Sequence, residues 1–172
     1  MNEDLSNCLP SHGILFKYFD TGVMLTGKSG LGKSDLMLQL IGMGAQLICD
    51  DAPIFSISSS KKNRPDKIIG HCETDFFGKM HIRDLGIIDV IQLFGSDACL
   101  KSTSLDFIIR LTSANNDSHF KNPIIKPDYQ LLDCSNSNKE IKLHQLELSY
   151  DSNRPMAHLI CTAIKQFYYC HN

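Results

Sequence analysis

Apolar residues along this chain recur with two different periods, and each change of period marks an element boundary. Gly22-Val23-Met24-Leu25-Thr26 is a short apolar run, as expected of a buried strand. Just after it, Leu36, Met37, Leu40, Ile41 and Met43 recur at helical spacing, predicting a helix from Lys33 to Met43 with Gly44 as its stop. Ala45-Gln46-Leu47-Ile48-Cys49 then reads as a short buried strand. Upstream, Ser11 to Phe19 predicts a first strand, and Asp20-Thr21-Gly22 a tight turn, so a hairpin lies beside the Gly22 run. Ile54 to Ile57 alternates like a strand, with Lys67 to Ile69 as its return across a polar loop from Ser58 to Asp66.

The second half of the chain is read in the same way. Lys79 to Val90 holds two strand-like pieces around a charged centre. Leu105 to Leu111 reads as a core strand, because Phe107, Ile108 and Ile109 form a continuous apolar run that suits burial on both faces. Thr112 to Asp128 is polar and predicts a loop. Ile141 to Leu148 alternates cleanly, predicting a strand with one wet face. Met156, Leu159, Ile160, Ala163, Ile164 and Phe167 form the stripe of a final helix from Pro155 to Tyr169, with Asp151-Ser152-Asn153 as its cap.

Between the Gly22 strand and the first helix lies Gly27-Lys28-Ser29-Gly30-Leu31-Gly32-Lys33-Ser34, which fits the phosphate-binding pattern Gly-x-x-x-x-Gly-Lys-Ser. Gly27, Gly30 and Gly32 permit positive backbone dihedrals and let bare amides crowd around phosphate oxygens. Lys33 places a charge on the β- and γ-phosphates, and Ser34 a hydroxyl on magnesium. A plain strand-to-helix turn accounts for Gly27 and Gly32 but not for Lys33 followed by Ser34. Strand, crossover helix and strand form a βαβ unit with parallel strands. Asp50 and Asp51, at the carboxyl end of the second strand, therefore emerge on the same sheet edge as the loop. His12 alone is a weak signal, since a lone histidine at a strand start is more often a tolerated surface residue.

Composition narrows the setting. A chain of 172 residues is read as one domain with a sizeable core. Its formal charge of −2 is too near neutral to argue for nucleic acid or a membrane surface as the main partner, and neither is expected. The segment Met1 to Pro10 is polar and does not resemble a signal peptide. Seven cysteines, without a C-x-x-C pair, read as reduced thiols of the cytoplasm, Cys49 and Cys161 being core positions.

The order of these pieces resembles the HPr kinase/phosphorylase family, whose members phosphorylate a serine of the phosphocarrier HPr. The resemblance rests on His12, on Gly27 to Ser34, and on Gln46-Leu47-Ile48-Cys49-Asp50-Asp51-Ala52. It rests also on Ile82-Arg83-Asp84-Leu85-Gly86-Ile87-Ile88-Asp89-Val90, similar to the family signature E-I-R-G-L-G-I-I-N/D-V, on Leu93-Phe94-Gly95, and on Arg154-Pro155. It runs from His12 to the last helix and lacks the family's separate N-terminal domain, as short members do. The resemblance implies an α/β P-loop kinase domain like that of phosphoenolpyruvate carboxykinase, with a mixed central sheet and flanking helices. It implies ATP and Mg2+ as cofactors, an HPr-like phosphocarrier as substrate, possible reverse phosphorolysis, and a homo-oligomer that is a hexamer in longer members.

By the same resemblance His12, Lys33 and Asp51 are catalytic, Asp51 exchanging the serine proton. Gly27, Lys28, Ser29, Gly30, Leu31, Gly32, Lys33 and Ser34 bind the nucleotide, and Ser34, Asp50 and His81 are metal candidates. The sequence departs from the pattern at three places: His81 replaces a metal-binding glutamate, Asp84 a glycine, and Lys121 is the nearest cation to a mobile-loop arginine. The His81 and arginine departures motivate one alternative, a catalytically weak ATP-binding regulator of the same fold; another P-loop small-molecule kinase is a further one.

Overall fold

The computed structural model describes residues 5, 9–58, 66–113, 129–134 and 141–171. In chain order the elements are β1 (Ile14–Tyr18), β2 (Thr21–Gly27), α1 (Lys33–Gly42), β3 (Gln46–Cys49), β4 (Ile54–Ser58) and β5 (Lys67–His71). Then come β6 (Lys79–Ile82), β7 (Gly86–Asp89), α2 (Val90–Phe94), β8 (Ser102–Ser104) and β9 (Phe107–Ser113). The chain closes with β10 (Gln130–Asp133), β11 (Lys142–Tyr150) and α3 (Met156–His171). The predicted loops Ser58 to Asp66 and Thr112 to Asp128, with Lys121, fall largely outside the described residues.

Continuous apolar runs have become central strands. Val23, Met24, Leu25, Phe107, Ile108 and Ile109 are all fully buried, because both faces of the sheet are covered. Its strand order is β10-β11-β9-β2-β1-β3. Strands β2, β9 and β11 are parallel neighbours, whereas β1 is antiparallel to both β2 and β3. As expected, β3 runs in the direction of β2, but the predicted hairpin strand β1 lies between them. Leu36, Met37, Leu40 and Ile41 of α1 pack with Ile160, Ile164 and Phe167 of α3 on one face. A second sheet, β4-β5-β8, covers Leu15, Met24, Ile48 and Ile108 on the other.

Local chemistry explains the element ends. Gly44, at φ 92°, stops α1 as predicted. Its N–H donates to the Ile41 carbonyl and that of Ala45 to the Leu40 carbonyl, both at 2.9 Å, the paired bonds of a Schellman ending. The first hairpin turns one residue earlier than predicted, on Phe19 and Asp20 at φ 48° and 55°. Two positive φ values match the right-handed twist of the paired strands, so Tyr18 already faces Thr21. Gly22 belongs to β2, where a Cβ would collide with the Ser104 carbonyl.

Two expectations at the carboxyl end need correction. Strand β11 does not have one uniformly wet face, because core layers cover part of both: Ile141 and Leu143 pack into one apolar cluster and Leu146 and Leu148 into the other. Leu143, Gln145 and Leu146 are all buried, with Gln145 Nε2 donating to Gln130 Oε1 at 3.3 Å. Nor does Asp151 cap α3. Its carboxylate accepts from Asn153 N at 2.9 Å and its carbonyl from Arg154 N at 3.1 Å, building a turn ahead of the helix. The Pro155 carbonyl accepts the first helical bond, from Leu159 N. Cys49 and Cys161 are buried, as their periodicity predicts.

At the amino end of β9, Phe107, Tyr129, His144, Phe167 and His171 form one ring cluster, with the two imidazoles 4.4 Å apart. Burial first, then the neighbouring His171, holds the His144 pKa below its ordinary 6.5. An unfolded chain thus binds this proton before the folded one does as pH falls. Stability should be full above pH 6.5 and decline below it. Thermal melts from pH 8 to pH 5 (roughly, the span in which histidine titrates) should show this decline, and His144→Phe should flatten it; an unchanged profile in the variant would refute the assignment.

Candidate functional site

The predicted phosphate loop leaves β2 at Gly27, where φ is 145° and a Cβ would stand 2.6 Å from the Leu111 carbonyl oxygen. That close approach admits only glycine. Gly32 begins α1 in the left-handed region, at φ 72°. Lys33 folds back so that Nζ donates to the Gly27 and Lys28 carbonyls at 3.0 and 3.1 Å. Its charge is thereby held over the loop. The free amides of the first α1 turn add partial positive charge, so the loop presents a cradle for an anion.

Facing the loop are the two aspartates, and the fold gives them different surroundings. Asp50 is half-buried, and its Oδ2 accepts from the His81 backbone N at 2.9 Å. Burial pushes its carboxyl pKa up and the Asp51 charge adds to this, while the His81 N–H and the Lys33 ammonium pull it down. Asp51 is exposed and sits at φ 74°, with its carbonyl accepting from Gly13 N at 2.8 Å. His12 Nδ1 lies 3.6 Å from Asp51 Oδ1, and the His12 carbonyl accepts from Thr26 Oγ1. Asp51 is therefore the carboxylate that an incoming group can reach, with an imidazole beside it.

One cleft of about 610 Å³ joins these parts. Ser29, Gly30, Gly32, Lys33, Ser34, Asp50, Asp51 and His81 are brought together in its lining. Gly27 and Lys28 border instead a smaller cleft with Thr26 and Arg110, and Leu31 packs toward the core. His12 stands at the rim through Asp51. Arg83 and Tyr150 line the main cleft without having been singled out for a role. Arg83 lies inside the signature segment, but Tyr150 ends an ordinary strand pattern and carried no signal.

The charged centre of Lys79 to Val90 is the turn of the β6–β7 hairpin. Asp84 holds φ 68° there, and Leu85 N closes the turn on the Ile82 carbonyl at 3.2 Å. This explains the substitution at the signature glycine: the position is left-handed, and aspartate tolerates that region better than most side chains. His81 pairs across the hairpin with Ile87 and exposes its side chain toward the cleft. Magnesium takes one or two carboxylates and keeps several waters alongside substrate phosphates. Ser34 and Asp50 fit that demand, and His81 adds a nitrogen donor. Among the described residues no three His, Cys, Asp or Glu side chains form a ready-made metal cage.

Fold and loop together define an α/β P-loop domain with a mixed central sheet. The particular family follows from comparison: the chain belongs to the HPr Serine kinase C-terminal domain family, whose sequence model matches residues 3–172. It is 40% identical over 119 residues to an HPr kinase/phosphorylase of Malacoplasma penetrans, covering 69% of this chain and 38% of that protein. It is 30% identical over 154 residues to one of Bordetella avium, covering 90% and 46%. The solved structure of the Hpr(Ser) kinase/phosphatase from Coxiella burnetii superposes with a TM-score of 0.77 at 28% identity, covering 92% of this chain and 89% of that one. The chain thus spans less than half the length of these curated relatives.

The left-handed turn gives a direct test. Asp84→Gly should fold normally and be at least as stable as the wild type, whereas Asp84→Val should cost about 1–2 kcal/mol. Chemical denaturation measures both, and equal stabilities would show that the turn imposes no such constraint.

Proposed function

We propose that this domain transfers the γ-phosphoryl group of ATP to a serine hydroxyl of an HPr-like phosphocarrier protein, and returns it to inorganic phosphate in the reverse direction. The observation that carries the reading is the placement of a phosphate cradle opposite an exposed carboxylate–imidazole pair across one cleft. Family membership supports it, since the relatives bear the name HPr kinase/phosphorylase.

Phosphoryl transfer asks the protein mainly to position groups and to stabilise charge spread over the phosphoryl oxygens. The loop amides and Lys33 hold the phosphates of ATP. Ser34 and Asp50, with His81 beside them, would hold magnesium, which supplies positive charge to the phosphate oxygens. Asp51 orients the serine hydroxyl. A free aspartate has a pKa of about 3.9, so it accepts the alcohol's proton only late, once the new P–O bond is largely formed. In the reverse direction the protonated Asp51 donates to the leaving serine oxygen, while phosphate attacks. His12, at the Asp51 carboxylate, orients it.

The rim fits a protein acceptor. Leu85 and Ile87 are 68% and 74% exposed, and Ile87 shares a hairpin face with His81. Apolar side chains beside a polar cleft give a docking ledge that a small metabolite does not need. Phe76, Leu93 and Phe94 are further exposed apolar side chains and support a homo-oligomer of the hexameric kind implied by the family. No helix of the described residues is long and apolar enough to cross a membrane. A cytoplasmic setting follows only from the carrier substrate that this reading assigns. A second reading, an ATP-binding regulator with weak catalysis, is favoured by His81 alone, which is a softer metal ligand than magnesium prefers.

Labelled ATP, magnesium and a purified HPr-like carrier should yield phosphoserine on the carrier. Nucleotide binding without transfer would establish the regulator instead, and phosphorylation of a free metabolite another kinase. Asp51→Asn should abolish transfer while ATP affinity stays within a few-fold of wild type; joint loss of both would assign Asp51 a structural role. His81→Glu should lower the magnesium concentration for half-maximal rate, and Ile87→Asp should raise KM for the carrier and leave KM for ATP unchanged. An unchanged magnesium dependence would remove His81 from the metal site, and an unaltered carrier KM would remove the ledge.

A further inference from the structure

Tyr150 is the last residue of β11 and stands at the same sheet edge as the phosphate loop. Its ring packs against the larger core cluster, whereas its outer end lines the main cleft with Ser29, Gly30, Lys33 and Ser34. The phenol oxygen is 3.3 Å from where a Cβ on Gly32 would stand, and the ring carbon bearing it is 3.8 Å away. Asp35 Oδ2 is 3.7 Å from that same point. Among the described residues the phenol has no hydrogen-bond partner, although a tyrosine with a packed ring usually finds one.

We infer that Tyr150 is a phosphate-binding residue, its hydroxyl donating a hydrogen bond to an oxygen of the nucleotide's phosphate chain. The loop supplies amides and one ammonium from the β2–α1 side, and β11 supplies a neutral donor from across Gly32. A neutral donor is suited to a cradle whose rim already carries Asp35, Asp50 and Asp51: it strengthens phosphate binding without forming an ion pair with any of those carboxylates. The same contact makes Gly32 doubly constrained, by its left-handed φ of 72° and by the phenol lying against it.

The inference rests on the phosphate-loop reading, and the experiment separates the two. ATP, ADP, pyrophosphate and adenosine are titrated calorimetrically, with magnesium, into wild type, Tyr150→Phe, Asp35→Asn and the double variant. Phenylalanine keeps the ring packing and removes only the hydroxyl, so the melting temperature should hold. Loss of a hydrogen bond to a charged group predicts Kd for ATP and pyrophosphate raised by roughly tenfold, with adenosine unaffected. That weakening should persist in the Asp35→Asn background. Equal affinities of wild type and Tyr150→Phe would overturn the assignment while leaving the cradle intact. An effect that vanishes with Asp35→Asn would show that the phenol acts through Asp35 and overturn it too. Wild-type protein that binds neither ATP nor pyrophosphate would overturn both readings.

Discussion

Strand direction is the constraint on which the site depends. Strands β2, β9 and β11 run parallel in a fixed register that sets Gly27 opposite Leu111, and Leu111 opposite Leu148. Strand β3 points the same way beyond the antiparallel β1. Four carboxyl ends therefore open on one edge, and whatever follows them must meet there. The phosphate loop follows β2, the aspartate pair follows β3, and Tyr150 ends β11. Slipping β2 by one residue would exchange its two buried faces and bring a side chain where Gly27 meets the Leu111 carbonyl. The apolar runs that bury the centre of the sheet thus also hold its reactive edge in place.

Within that edge the backbone divides labour between two adjacent carboxylates. The left-handed turn at Asp51 directs its side chain to solvent beside His12, while Asp50 turns inward and takes the His81 amide. One aspartate ties the β6–β7 hairpin to the end of β3; the other stays exposed at the cleft. Asp50's raised pKa follows from that burial before any charge effect. Consecutive residues in an extended strand point to opposite sides, so a pair just past a strand end is readily separated in this way.

The hairpin that Asp50 anchors carries the second half of the site. Met80 and Ile82 face the core, which turns His81 outward, and Ile87 follows it by cross-strand pairing. An apolar ledge beside a polar cleft is a consequence of that alternation rather than a separate feature. Asp84 at the tip meets a backbone demand, and Asp89 serves at the other end, accepting from Gln92 N to start α2.

The amino-acid sequence by itself determined most elements and the loop chemistry, because periodicity, glycine placement and Lys33-Ser34 are local signals. The resemblance of Ile82 to Val90 to a family signature added the link between distant segments, and the family comparison bears it out. The hairpin turn was misplaced by one residue because nothing in Phe19 announces a positive φ, whereas Gly22, which suggested a turn, is a packing glycine. The wet face expected of β11 is absent because the layers packed on the two sheet faces, not the strand's own alternation, decide what it buries. Only the tertiary structure decided that β1 separates β2 from β3, that Asp50 and Asp51 part company, and that Tyr150 stands against Gly32. Each of these depends on residues far apart in the chain meeting through sheet register, and no local pattern of residue types encodes such a meeting.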